Sequence, residues 1–213
     1  MEIRKNSQEL EIRYITELRA DVSEGIIRGT AIVFNSESKD LGGFTEIIKP
    51  ESITKEFLDR QDIVMLYNHN ADSGVLARSK NGRGSLTYSI DANGVNFEFK
   101  AKKKDQGIVE SIAAGDLDSC SFAFRVTQDG QKIEKRENGM LLRTITAFEK
   151  LQDFSVVIFP AYTETSVSSR KLDEFKEILK IENDDEKKQI ENEIRKKAEF
   201  DIYYQGLVRK YLK

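Results

Sequence analysis

The chain has 213 residues, 38% of them hydrophobic and 33% charged, which suits one compact domain with an appendage or two small domains. Its net charge of −3 excludes a global basic field for nucleic acid. One cysteine and one histidine exclude an internal disulfide and the usual His/Cys zinc sites within a single chain, which fits a reducing, cytoplasmic setting.

The first 160 residues are predicted to form mainly short strands. Apolar and charged residues alternate over residues 9–19, which is typical of a half-buried strand. Pro50 can begin a helix that continues over residues 51–58, and a second helix over residues 105–114 is expected to end at Gly115. Further strands are predicted over residues 26–34, 44–48, 63–67, 75–78, 85–90, 95–101, 119–126, 131–135, 140–148 and 151–159.

This density of short strands predicts an α+β, mainly β fold: an antiparallel-rich β-barrel, or a sandwich, flanked by short helices. Hairpin turns are expected at Asn81-Gly82 and Asn93-Gly94. Strands and helices do not alternate regularly, which argues against a doubly wound parallel sheet.

The composition changes after Ser169. Residues 170–213 contain no proline and one glycine, and they are dense in lysine and glutamate. Apolar residues spaced for a helix occur at Leu172, Phe175, Ile178 and Leu179, and again at Ile190, Ile194, Ala198 and Ile202. We therefore predict a β domain over residues 1–169 and a charged helical tail over residues 170–213. The tail either docks on its own domain or is a segment that binds a partner or is removed.

Several motifs are absent from the sequence. It contains no phosphate-binding glycine loop, no dinucleotide-binding fingerprint and no Gly-x-Ser-x-Gly motif of the α/β-hydrolases. No segment has the features of a signal peptide or a membrane span. We therefore expect no cofactor, no metal, no nucleic-acid partner and no membrane partner.

The strand predicted over residues 119–126 carries the candidate nucleophiles. Alternation places Cys120 with two phenylalanines on one face, where its thiol would be buried and inert. Ser119 and Ser121 lie on the other face, about 7 Å apart along the strand, and only one of them could meet a given imidazole well. The spacing alone does not choose between the two serines.

A serine hydroxyl needs a base to take its proton and a carboxylate to orient that base. The only histidine, His69, follows a predicted strand between two asparagines, which suggests a polar, exposed position. Asp153 begins a later apolar strand and is the candidate carboxylate, with Glu149 as its rival. Asp153 also has an ordinary structural explanation, as a polar residue that caps a strand.

Two arginines are candidates for stabilising an oxyanion, directly or through a water molecule. They are Arg125, on the strand of the candidate nucleophiles, and Arg143, on a later strand. The alternative is that both pair with surface carboxylates.

Five segments, in order along the chain, resemble the prohead serine protease family of tailed bacteriophages. They are Gly29-Thr30-Ala31-Ile32-Val33-Phe34-Asn35, Phe44-Thr45-Glu46-Ile47-Ile48-Lys49-Pro50, Val64-Met65-Leu66-Tyr67-Asn68-His69-Asn70, Gly115-Asp116-Leu117 with Ser121-Phe122-Ala123-Phe124, and Leu151-Gln152-Asp153-Phe154-Ser155-Val156-Val157 with Pro160-Ala161. The resemblance covers about residues 10–168 and gives no match for residues 170–213. This family is also similar to the herpesvirus assemblins, which implies a β-barrel ringed by helices.

The resemblance implies the catalytic residues Ser121, His69 and Asp153, with Ser121 and not Ser119 as the nucleophile. The sequence departs from the family pattern at three of these segments. Ala123 replaces a usual glycine, Asn70 replaces a usual aspartate, and Asp153 stands where many relatives have glutamate. Leu76-Ala77-Arg78 also replaces a Leu-Gly-Arg.

The function implied by the resemblance is a serine endopeptidase that matures the phage capsid. Its expected substrates and partners are the major capsid protein and the scaffold protein, with self-cleavage and self-association as further expectations. It would act in the host cytoplasm, within the assembling procapsid. The alternatives are a non-enzymatic scaffolding or head-assembly component with a protease-like β domain, and a β-barrel binding module.

Overall fold

The computed structural model describes residues 10–15, 17–127, 129–158 and 171–180. The fold is mainly β with a few short helices, as the sequence predicts. Its strands are β1 (Glu11–Ile15), β2 (Leu18–Asp21), β3 (Ile26–Val33), β4 (Phe44–Ile48), β5 (Asp62–Tyr67), β6 (Ala77–Lys80), β7 (Arg83–Gly84), β8 (Leu86–Ile90), β9 (Gly94–Lys100), β10 (Ser119–Val126), β11 (Gln131–Lys135), β12 (Leu141–Ile145) and β13 (Phe148–Val157). Between residues 10 and 158 its helices are α1 (Lys55–Asp59) and α2 (Gln106–Ala114), with short 3₁₀ turns at Pro50–Ser52, Ala71–Ser73 and Lys103–Asp105.

The strands form three sheets. A six-stranded sheet has the order β1-β10-β13-β5-β6-β7, a four-stranded sheet has the order β2-β3-β9-β8, and a three-stranded sheet has the order β11-β12-β4. Most neighbouring strands are antiparallel, but β13 pairs with β5 and β12 with β4 in parallel. Among the described residues the sheets are not closed on themselves, since the largest ends at β1 and β7. The predicted barrel is therefore not confirmed.

The single strand predicted over residues 9–19 is wrong. The structure contains two strands there, β1 and β2, which belong to different sheets. β1 pairs with β10 and β2 pairs with β3, and the transition is held by a 3.1 Å hydrogen bond from the Leu18 amide to the Asp118 carbonyl. The alternation of apolar residues continues through the break, because both strands are half-buried, so the pattern hides it.

The helix predicted after Pro50 is also divided. A 3₁₀ turn at Pro50–Ser52 is separated from α1 by extended backbone, and Thr54 caps α1 by accepting a 3.1 Å hydrogen bond from the Phe57 amide. Threonine is a preferred N-cap residue, because its hydroxyl accepts from an amide that has no partner in the first turn.

Helix α2 leads into the strand of the candidate nucleophiles. It buries Val109 and Ile112 and ends at Gly115, whose φ of 84° is the left-handed conformation of a helix C-cap. The Gly115 amide donates to the Ile112 carbonyl at 3.1 Å, which closes the helix. The predicted helix stop is thus confirmed, and the chain turns directly towards β10.

Strand β10 lies in the core of the protein. Its residues from Ser119 to Phe124 are all buried, which means that both faces of the strand are covered. The Phe122 and Phe124 rings stack with centroids 5.1 Å apart, and Phe148 packs on Phe124 at the same distance. Aromatic packing of this kind contributes about 0.5–1.5 kcal/mol per pair beyond area burial, so β10 is firmly held.

The chain divides into two compact units, residues 1–169 and 170–213. In the second unit residues 171–180 form a helix, as the spacing of its first apolar residues predicts. The second set of predicted apolar positions, from Ile190 to Ile202, lies outside the described residues. No helix within the described part is both long and apolar enough to cross a membrane.

Candidate active site

Three side chains that are distant in sequence meet at one face of the six-stranded sheet. His69 Nε2 lies 2.7 Å from Ser121 Oγ, and His69 Nδ1 lies 2.5 Å from Asp153 Oδ1. The imidazole therefore bridges the hydroxyl and the carboxylate. These are the three residues predicted from the sequence, and the structure brings all of them together.

The pairing of the strands explains why the hydroxyl and the carboxylate share a face. In the β10–β13 ladder Ser121 lies opposite Ser155, and Ala123 lies opposite Asp153. Residues opposite each other, or two apart on one strand, point to the same side of a sheet. We call this side the Ser121 face.

His69 reaches this face from a tight turn after β5. Asn68 and His69 both have left-handed backbone conformations, with φ values of 51° and 55°. Such a conformation costs a residue with a side chain about 1–3 kcal/mol, so it persists only where the surroundings enforce it. Here the Asn70 amide closes the turn by donating to the Tyr67 carbonyl at 3.0 Å.

Asn68 fastens that turn to β13. Its backbone amide donates to the Val156 carbonyl at 2.8 Å, and its side-chain Oδ1 accepts from the Ile158 amide at 2.9 Å. Asparagine is among the residues that tolerate left-handed backbone. Asn68 therefore both permits the turn and sets the position of His69 relative to Asp153.

Ser155 is a further member of the site that the sequence reasoning missed. Its hydroxyl donates to Asp153 Oδ1 at 2.8 Å and lies 3.2 Å from His69 Nδ1. The signal was present, because Ser155 is two residues from Asp153 on a predicted strand and so shares its face. Ser155 is fully buried, and its hydroxyl satisfies one acceptor site of a nearly buried carboxylate.

The hydrogen-bond pattern defines what the imidazole can do. An ionised Asp153 can only accept, so the Nδ1 atom of His69 carries a proton that it donates to Asp153. The Nε2 atom then has a free lone pair directed at the Ser121 hydroxyl. A neutral imidazole held in this tautomer is a general base for the hydroxyl, and the carboxylate stabilises the imidazolium that forms.

Neither of the two rival nucleophiles, Ser119 and Cys120, is placed to react with His69. Ser119 lies opposite Val157 instead of Ser155, and its hydroxyl donates to Asp118 Oδ1 at 2.6 Å. Cys120 is fully buried, and burial raises the pKa of its thiol to about 12. The expectation of a buried cysteine is confirmed.

The rival carboxylate and the two arginines also have clear positions. Glu149 is exposed on β13, whereas Asp153 is buried at the imidazole. Arg143 is buried among carboxylates, bonding to Glu11 and Glu46, so its guanidinium is occupied. Arg125 is half-buried, and its Nε atom has no hydrogen-bond partner among the described residues. Its role at the oxyanion stays a prediction.

A metal centre has no support in the described part of the chain, where no group of three or more His, Cys, Asp or Glu residues is placed to hold an ion. The chemistry available at this face is that of a hydroxyl, an imidazole and a carboxylate.

The family model of the caudovirus prohead serine protease matches residues 8–178, which is more than half of the chain. The match continues beyond residue 168, so the expectation of no match after residue 170 is wrong for the start of the tail. No curated protein and no solved structure matches the chain. The extent of the family match nevertheless decides the assignment: the chain belongs to the caudovirus prohead serine protease family.

Proposed function

We propose that this protein is a serine endopeptidase of capsid maturation in which Ser121 is the nucleophile, His69 the general base and Asp153 the residue that orients His69. The observation that carries the proposal is the bridging position of His69, within 2.7 Å of Ser121 Oγ and 2.5 Å of Asp153 Oδ1. Membership of the prohead protease family supplies the reaction class.

The proposed reaction follows from the proton positions. As Ser121 Oγ attacks the scissile carbonyl carbon, its proton passes to His69 Nε2. The imidazolium then gives this proton to the departing amine, which leaves an ester between the substrate and Ser121. A water molecule, deprotonated by the same nitrogen, hydrolyses the ester and restores the free hydroxyl.

The substrates that we propose are the major capsid protein and the scaffold protein of the same phage, cleaved inside the assembling procapsid. A third proposed substrate is the chain itself, at a site that would release the tail. Self-cleavage is tested by the intact mass over time under active conditions. Shortened species support it, and a stable species of 24.4 kDa contradicts it.

The capsid substrate is tested by co-expression with the major capsid protein of the same phage. We expect truncated capsid protein with the unmodified chain and with Ser119→Ala, the matched control on the same strand, but not with Ser121→Ala. Loss of such a nucleophile lowers the rate by several orders of magnitude. Truncation that persists in Ser121→Ala contradicts the mechanism, and its absence in every case favours a non-enzymatic scaffolding role.

A further inference from the structure

Four charged side chains form a buried cluster against β1, the edge strand beside β10. We call it the β1 charge cluster, and its members are Glu11, Arg13, Glu46 and Arg143. Arg13 binds Glu46 through two hydrogen bonds of 3.0 and 2.8 Å and Glu11 through one of 3.1 Å. Arg143 binds Glu46 at 2.8 Å and also holds both oxygens of Glu11. The cluster thus joins β1 of the six-stranded sheet to β4 and β12 of the three-stranded sheet.

The cluster is electrically balanced, and three of its four members are buried. Arg143, Glu11 and Glu46 are 0%, 2% and 3% exposed, and two positive charges face two negative ones. Burial alone would lower the pKa of the Arg143 guanidinium, but the attraction of Glu11 and Glu46 outweighs it, and the pKa lies above the ordinary value. Buried ion pairs of this kind contribute little net stability compared with apolar side chains, because desolvation is costly. What the cluster visibly does is hold β1 against β4 and β12.

The cluster and the candidate nucleophile lie on opposite faces of the same sheet. In the β1–β10 ladder Glu11 is opposite Phe124 and Arg13 is opposite Phe122, so both charged residues share the phenylalanine face. The Arg13 guanidinium lies 5.4 Å from the centre of the Phe124 ring, which agrees with this placement. The cluster therefore contacts β1 on the face of the sheet that points away from Ser121.

The backbone of Arg13 connects the two faces. Its carbonyl accepts a hydrogen bond from Ser121 Oγ at 2.8 Å, and Ser121 Oγ itself lies 2.7 Å from His69 Nε2. The hydroxyl has one proton, which it gives to one of these acceptors at a time. Both distances belong to one position of Ser121 Oγ, so the rotamer that brings the hydroxyl to the carbonyl is also the rotamer that faces His69.

We propose that the β1 charge cluster is a positioning device for the nucleophile: it fixes β1 so that the Arg13 carbonyl keeps Ser121 Oγ facing His69. This inference rests on the proposed function of Ser121. Arg13, Glu11, Glu46 and Arg143 are positioning residues, because none of their side chains is bonded to Ser121, and the link to its hydroxyl runs through the Arg13 carbonyl.

The test is the variant Arg13→Lys in the full chain. Lysine keeps the charge but cannot form the two parallel bonds to Glu46, which loosens β1 without removing the ion pair. The first readout is the rate of Ser121 labelling by a small fluorophosphonate, which makes no peptide contacts. We expect this rate and kcat to fall by about tenfold, with KM for a peptide substrate unchanged, since small displacements of reacting atoms are costly.

A second variant keeps the test decisive if Arg13→Lys does not fold. Glu46→Gln preserves the shape of the side chain and removes one charge from the same cluster, and the same fall in the labelling rate is expected. Labelling that stays at the original rate in whichever folded variant is measured overturns the proposal. Faster labelling also overturns the proposal, because it would show that the Arg13 carbonyl hinders the reaction of the Ser121 hydroxyl.

Two control variants separate positioning from general stability. Arg78→Lys disturbs a paired contact with Asp62, of 2.7 and 2.6 Å, in the same sheet but outside the cluster. Leu86→Val lowers stability from the core of the four-stranded sheet. Both should label at the original rate, and an equal fall in either one overturns the proposal. If the unmodified chain is not labelled at Ser121 at all, the proposed function fails first, which keeps the two failures distinct.

Discussion

Ser155 donates a hydrogen bond of 2.8 Å to the carboxylate of Asp153, and both residues lie on the same face of β13. The bond fixes the carboxylate in the orientation in which it meets His69 Nδ1. In the proposed mechanism Asp153 must stay ionised and correctly turned, so Ser155 supports the step in which His69 takes the proton.

Replacing Ser155 with alanine is expected to lower kcat while leaving KM almost unchanged. A hydrogen bond to a charged group is worth about 1.5–3 kcal/mol, which corresponds to a fall of about tenfold to a hundredfold. The measurement is steady-state kinetics on a peptide substrate. Ser119→Ala removes a comparably buried hydroxyl from the neighbouring strand and should retain full activity. Equal rates for the two variants would show that Ser155 has no orienting role.

Replacing Asp153 with asparagine is expected to reduce kcat by a factor on the order of a thousand or more, although the shape of the side chain is preserved. The amide cannot stabilise the imidazolium, and its NH₂ group can favour the wrong tautomer of His69. The check is kcat together with the unfolding free energy, which shows that the variant is folded. A folded variant with activity within tenfold of the original would exclude Asp153 from the mechanism.

Asn68 offers a test of the turn that carries His69. Asn68→Ala loses the side-chain bond to the Ile158 amide and also places an unfavourable residue in left-handed backbone. Asn68→Gly loses the same bond but accepts the backbone conformation. We expect alanine to lower the unfolding free energy by about 1 kcal/mol more than glycine, measured by urea denaturation. An equal loss in both would mean that the backbone of this turn is not strained.

The thiol of Cys120 should not react with alkylating reagents in the folded protein. Because burial raises the pKa of its thiol to about 12, almost no thiolate exists at pH 8, and iodoacetamide should neither modify the folded chain nor inhibit it. In denaturant the same thiol should be alkylated readily. The raised pKa also means that the unfolded state loses this proton first as the pH rises above 9.0, the ordinary pKa of the thiol, so this contribution to stability falls from there towards pH 12. Inhibition by iodoacetamide at pH 8 would contradict this account.

The sequence was most informative where local patterns decide the structure. Alternation placed β10, and the glycine after α2 marked the helix end, because both depend on neighbouring residues. The same alternation failed at β1 and β2, where the chain passes from one sheet to another without any change in pattern. Closure of the sheets could not be judged either, since it depends on which edge strands meet.

The candidate site was predicted only in part. Local spacing left Ser119 and Ser121 equivalent, and the family resemblance selected Ser121, the serine that the structure places beside His69. Ser155 could have been found from its two-residue spacing to Asp153. The β1 charge cluster could not, because its hydrogen bonds join residues up to 132 positions apart, and no local pattern links them.

The proposed mechanism requires that His69 activates the hydroxyl of Ser121. The most direct measurement is fluorophosphonate labelling of the full chain, followed by mass spectrometric mapping of the modified residue. We expect one adduct, on Ser121, that disappears in His69→Ala. An adduct on Ser119, equal labelling in His69→Ala, or no adduct at all would contradict the mechanism.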